Sequence, residues 1–390
     1  MIIEKSMGLI VGIDATNLRG GGGVTHLVEL LNAVELASHG IRKIVIWGGE
    51  QTLKKLPSRS WLEKISPEAL NQGLVKRTFW QRLALSSAVR NALCDVLFVP
   101  GGSYSGDFEP IVTMSRNLLP FEWRELRRYG MRPMCLKLLI LRYTQSRSYR
   151  SADGVIFLTE YAKNAVLKVT GPVSGQKAVI PHGVSTRFQS APKEQKPIRD
   201  YSQMNPFRLL YVSTIDQYKH QWHLIEAVHT LRAQGFQLTL DLIGPAYSVS
   251  LTRLRAAIVE FDPDKVWVRY HGAVPHEALN GFYAQADLGV FASSCENLPN
   301  ILLETMAAAL PVACSNRGPM PEVLGDAGLY FDPENPVEIA QTLRKYLDSS
   351  ALRSQKSKAS FKRSQQYTWE RCANDTFAFL SKMGLGKIKG

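Results

Sequence analysis

Cys295-Glu296-Asn297-Leu298-Pro299-Asn300-Ile301-Leu302-Leu303-Glu304 sets two carboxylates eight positions apart across a turn. Before it, Asp287-Leu288-Gly289-Val290-Phe291 is a short apolar run of the kind that forms a buried parallel strand. After it, Leu302, Leu303, Met306, Ala307 and Leu310 recur at helical spacing. Pro299 blocks helix before it, and Asn300 is a favourable N-cap. The order expected is strand, loop, helix, with Glu296 in the loop and Glu304 about one turn into the helix. Open α/β sheets bind ligands at the carboxyl ends of their strands. Free N–H groups at a helix start suit a phosphate, and two carboxylates suit hydroxyl groups. Phosphate with several hydroxyls is the chemistry of a sugar nucleotide.

The same alternation runs through the chain. Strands are expected at Gly8–Asp14, Lys43–Trp47, Val96–Val99, Ile111–Met114, Gly154–Leu158 and Lys177–Ile180, with helices at Val24–Ser38 and Phe121–Tyr149. A polar break from Gln189 to Asn205 contains Ala-Pro-Lys-Glu-Gln-Lys-Pro and reads as a linker. Beyond it, strands at 208–212, 237–243, 266–271, 288–291 and 312–314 alternate with helices at 221–234, 251–261, 276–284, 300–309 and 336–347. This pattern predicts an α/β protein with two doubly wound, Rossmann-like parallel sheets facing a cleft. The expected division is residues 1–190, a linker at 191–205, residues 206–367, and a final helix in 368–390 that crosses back to the first domain.

Composition narrows the class. At 390 residues there is length for two cores. No apolar run approaches the ~20 residues that span a bilayer. Met1–Asp14 lacks a basic n-region, so no secretory leader is expected. Five cysteines without CxxC spacing read as reduced thiols in a cytoplasmic protein. The net charge of +13 concentrates between Arg116 and Arg150, where nine Lys/Arg face two acids among interleaved aromatics and leucines. That stretch reads either as a basic amphipathic helix against an anionic membrane or as a solvated face over a leucine stripe. No nucleic-acid motif accompanies it, so no nucleic-acid partner is expected.

Three further loops are ligand candidates. Arg19-Gly20-Gly21-Gly22-Gly23 joins the first strand to the first helix, where Gly22 and Gly23 would allow close backbone approach. It does not match GxGxxG, and the next strand ends in Trp47-Gly48-Gly49 without an acid, which argues against NAD. Lys219 follows the first strand of the second half and would face a diphosphate. His182, in Pro181-His182-Gly183-Val184, lies near the linker, where it would touch substrate or cap a loop. Asp262-Pro263-Asp264 reads as a turn, and no cluster has metal-ligand spacing, so neither a metal nor a cofactor is expected.

In this order the pieces resemble the retaining glycosyltransferases of the GT-B fold, specifically glycosyltransferase family 4, the glycosyl transferases group 1. The strongest part runs from Val290 through Glu296 and Leu302–Ala313 to Pro321-Glu322-Val323-Leu324-Gly325-Asp326-Ala327-Gly328. The resemblance implies that Glu296 holds donor-sugar hydroxyls and Glu304 the ribose. It implies that Asn300 and Ile301 backbone groups and Lys219 meet the diphosphate, and that Gly22 and Gly23 lie over the donor. It sets the base near Gly272 and Val274. It also implies retention without a metal, a nucleotide-sugar donor, and a glycan or lipid-linked acceptor in surface-polysaccharide assembly. Location is then peripheral on the inner face of the membrane. Two departures stand out. The family's arginine five residues before the lysine is Thr214 here, which leaves Arg116 or Arg317 as substitutes. The family's histidine after the strand ending at Met114 is replaced by Ser115-Arg116-Asn117, so Arg116 and Asn117 join His182 as acceptor-side candidates. The rival readings are a sugar-nucleotide epimerase on the same fold and a catalytically weak nucleotide-sugar-binding protein.

Overall fold

The computed structural model describes residues 8–386. Thirteen short strands form two parallel sheets. The first holds β1 (Leu9–Ala15), β2 (Ile41–Gly48), β3 (Leu62–Ile65), β4 (Val96–Val99), β5 (Ile111–Met114), β6 (Gly154–Phe157) and β7 (Gln176–Val179), in the order 3-2-1-4-5-6-7. The second holds β8 (Phe207–Val212), β9 (Leu238–Ile243), β10 (Val268–Tyr270), β11 (Leu288–Phe291), β12 (Val312–Ser315) and β13 (Leu329–Phe331), in the order 10-9-8-11-12-13. Every residue of β1, β4, β5, β6, β11 and β12 is buried. This is why these strands read as continuous apolar runs, because helices cover both faces of a parallel sheet. In each sheet the order reverses beside the first strand, between β1 and β4 and between β8 and β11.

Two compact units divide the chain. One comprises residues 1–121, 131–183 and 368–390; the other comprises residues 122–130 and 184–367. The boundary at Gly183/Val184 precedes the polar break expected to be a linker. Residues 191–205 are instead fixed to the second unit: Tyr201 Oη donates to Asp287 Oδ1 at 2.9 Å, and the fully buried Arg353 donates to the Lys196 carbonyl. The last helix, Trp369–Gly386, belongs to the first unit and packs on the helix Gly22–Ala33. Gly183 is required beside it, since a Cβ there would sit 2.2 Å from the Trp369 nitrogen.

The expected helix at 121–149 is two helices. Trp123–Arg127 belongs to the second unit and Pro133–Ser151 to the first, with Gly130 at φ 58° and Pro133 breaking the run. The helix Ser350–Ser364 has no apolar period because its buried face is largely hydroxyl. Ser357 and Ser360 donate to the carbonyls of Ala309 and Leu310 at 2.6 and 2.8 Å, which closes the end of the Asn300–Ala307 helix. Among the described residues no helix is long and apolar enough to cross a membrane. All five cysteines are unpaired.

Candidate functional site

In the second unit the site is built on the loops that leave β8 and β11, the two strands at the order reversal. Lys219 ends the first loop and Glu296 lies in the second. Their side chains form an ion pair, with the lysine buried. The ammonium also lies 4.9 Å from the ring centre of Tyr218 and 5.5 Å from that of Phe291. Two opposite charges held in a water-poor pocket need each other, because either alone would be costly to desolvate. Thr214 is exposed, and its carbonyl accepts from Gln221 Nε2 at 3.1 Å.

The helix after Glu296 spans Asn300–Ala307 with Glu304 buried in it. The N-cap is Pro299, so Asn300 is not the cap that its residue type favours. Its N–H donates to the Leu298 carbonyl at 3.0 Å. The Asn300 side-chain oxygen is buried with no partner. Glu304 accepts from His276 Nε2 at 3.2 Å and from Tyr283 Oη at 3.3 Å. His276 in turn meets Arg187 and stacks edge-on with Phe188. Sequence reading missed these supports. A histidine 28 residues before a glutamate forms no motif, and only the fold brings the pair together. Gly272, at φ 68°, turns the chain after edge strand β10, and Val274 follows it half-buried.

Arg317, the other candidate for the missing arginine, is itself paired. Its guanidinium lies 2.6 Å from Asp332 and 3.8 Å from Glu334. Asp262 accepts the N–H groups of Val266, Trp267 and Val268 at 2.9, 3.0 and 2.7 Å, so the DPD sequence caps a turn.

The first unit gathers the other candidates. Gly22 and Gly23 open the helix Gly22–Ala33 behind Gly21, at φ 62°. A Cβ on Gly23 would lie 2.8 Å from a guanidinium nitrogen of Arg116. Arg116 has no carboxylate partner among the described residues, and its Nε is buried without an acceptor. Burial lowers its pKa to about 10. His26, fully buried in the same helix, is held well below the usual imidazole range by burial, then by His182 and Arg116. His182 stacks on it at 4.3 Å and on Trp369 at 5.7 Å, so His182 is part of an aromatic stack. Asn117 Oδ1 accepts the Leu119 N–H at 3.1 Å, which is a local turn bond.

The fold recurs in solved structures. Sucrose-phosphate synthase from Thermosynechococcus elongatus superposes with a TM-score of 0.74 at 17% identity, covering 97% of this chain and 100% of that one. Anabaena HepE, solved in complex with UDP and glucose, gives a TM-score of 0.68 at 16% identity, covering 95% and 98%. These place the chain in the GT-B fold. In sequence, O-antigen chain mannosyltransferase B of Escherichia coli is 25% identical over 248 residues, which is 60% of this chain and 63% of that protein. The chain thus spans under two thirds of that relative's length. Residues 206–349 match the family described as Glycosyl transferases group 1. The region that matches this family holds Lys219, Glu296 and Glu304.

Proposed function

We propose that the protein is a retaining glycosyltransferase that moves a sugar from a nucleoside-diphosphate sugar to a saccharide acceptor in surface-polysaccharide assembly. The observation that carries this reading is the Lys219–Glu296 pair at the order reversal of the second sheet, with Glu304 in the helix that follows. In this reading Glu296 accepts hydroxyl protons of the donor sugar, Glu304 those of the ribose, and Lys219 neutralises charge on the departing diphosphate. The C–O bond from the anomeric carbon to phosphate breaks while the acceptor oxygen bonds that carbon on the same face, and the acceptor's proton leaves on the departing diphosphate, without a metal. Arg116, beside the glycine loop and without a carboxylate partner among the described residues, is our first-unit candidate for meeting an anion.

The acceptor we propose is lipid-linked, met at an anionic membrane surface. Arg124 and Arg128, once part of the basic stretch, are paired with Glu334. The helix Pro133–Ser151 instead offers Leu136, Ile140 and Tyr143, which are 62%, 55% and 66% exposed at helical spacing, among Arg132, Lys137, Arg142 and Arg147.

The test is a panel of nucleotide sugars, including UDP-glucose and GDP-mannose, incubated with a membrane extract as acceptor. Release of nucleoside diphosphate together with acceptor labelling is expected. Tight nucleotide binding with no release from any donor would favour a binding protein and refute the transferase reading.

A further inference from the structure

Residues 122–130 lie in sequence between two strands of the first sheet but belong to the second unit. Besides the Arg124–Glu334 pair, three contacts hold them there. Tyr129 Oη donates to Asp216 Oδ1 at 2.8 Å, Arg128 lies 2.9 Å from Glu334, and Glu125 meets Ser294. The last is the most consequential. Glu125 is buried, and one of its oxygens accepts both Arg128 Nε and Ser294 Oγ at 2.7 Å. A carboxylate only accepts, so Ser294 gives Glu125 its single proton. The Ser294 oxygen is also 2.9 Å from His220 Nε2, which must therefore donate, making the His220 tautomer Nε2–H. Burial drives the His220 pKa down to about 3, so the ring stays neutral with one proton to give. The Ser294 N–H donates to the Tyr218 carbonyl at 2.8 Å.

The chain His220 to Ser294 to Glu125 thus joins the residue after Lys219 to the residue two before Glu296. His220 starts its helix at φ 54°, a conformation that a non-glycine residue holds only when its surroundings fix it. Arg128 balances the carboxylate; among the described residues the other acceptor within reach of the Ser294 hydroxyl is the Tyr218 carbonyl, at a longer 3.3 Å.

We infer that Glu125 is a positioning residue, which sets the Lys219–Glu296 geometry through Ser294 and His220 from a segment whose ends both continue into the first unit. The inference rests on the transferase reading of that pair. Double alanine variants separate it from simple structural support, because residues acting as one unit lose activity non-additively.

The experiment measures donor turnover and donor KM, with UDP-glucose and GDP-mannose, for the full chain and for Glu125→Ala, Glu125→Gln, Ser294→Ala, Glu125→Ala/Ser294→Ala and Glu296→Gln. Histidine side-chain 15N spectra are read in parallel. Expected are a tenfold or greater fall in kcat for each alanine variant, donor KM within threefold, and a double variant no worse than the worse single. The His220 signals should report Nε2–H in wild type and change in Ser294→Ala. Glu125→Gln keeps the volume and carries the test if the alanine form does not fold, with an intermediate kcat expected. Normal kcat in the Glu125 variants beside an inactive Glu296→Gln would overturn the inference, as would losses that multiply in the double variant. If Glu296→Gln is fully active, or no donor turns over, the transferase reading fails instead. The 15N arm then still decides, and unchanged His220 signals in Ser294→Ala would refute the lock.

Discussion

The carboxyl edges of the two sheets use charge in opposite ways. At the second sheet three cations near the site have anions: Lys219 has Glu296, Arg128 has Glu125 and Glu334, and Arg317 has Asp332. Glu304 is likewise held by His276 and Tyr283. At the first sheet Arg116 has no counter-charge among the described residues, His26 is buried neutral, and the loop beside them is glycine. Paired charges in a low-dielectric pocket hold geometry but give little net attraction to an incoming anion. An unpaired guanidinium beside a glycine-rich helix start does the reverse, since it costs stability and attracts an anion. The comparison assigns positioning to the second edge and free positive potential to the first.

The largest effect that would break this comparison comes from Lys219→Ala. It leaves Glu296 unpaired and largely desolvated, so we expect about 3 kcal/mol lower stability by denaturant titration together with loss of turnover. A variant as stable as wild type would mean that the pair does not organise the second edge. Glu296→Gln keeps the shape and loses the charge; turnover should fall at least a hundredfold with the far-UV spectrum unchanged. Arg116→Gln sharpens the contrast. Removing an unpaired cation should leave the melting temperature equal or slightly raised while nucleotide-sugar affinity falls about tenfold, as calorimetry would measure. A marked drop in stability would show that Arg116 has a structural partner.

The smallest effect is pH dependence. The folded-state pKa of His220 is lowered from 6.5 to about 3, and that of His26 is also lowered. Between those pH values the unfolded chain binds protons that the folded chain refuses. Stability should therefore be flat above pH 6.5 and fall on acidification below it, by at most about 1.4 kcal/mol per pH unit for each histidine. Melting curves at pH 7 and pH 5 should differ less in His26→Phe than in wild type; an equal difference would exclude His26 as a source.

What the sequence made legible follows from range. The inner strands of both sheets are buried on two faces, so apolar runs marked most of them, and the E-x7-E stretch was readable because strand, turn and helix are contiguous. The edge strands β3 and β13 were not, since Leu62-Glu63-Lys64-Ile65 is half polar and β13 has three residues. The helix Ser350–Ser364 was hidden by its hydroxyl face. The site's supports were hidden for another reason. Glu125 and Ser294 are 169 residues apart, and a basic stretch gave no sign that Arg124 and Arg128 would be neutralised by Glu334. Local pattern reports what a segment buries, whereas long-range polar pairing needs the fold.

The central claim is that Lys219 and Glu296 form a donor-diphosphate-sugar site. Its most direct test is a calorimetric titration of the full chain and of Lys219→Ala with the nucleotide sugar that turns over. Saturable binding by the full chain and at least tenfold weaker binding by the variant are expected. Equal affinity in the two proteins would contradict it.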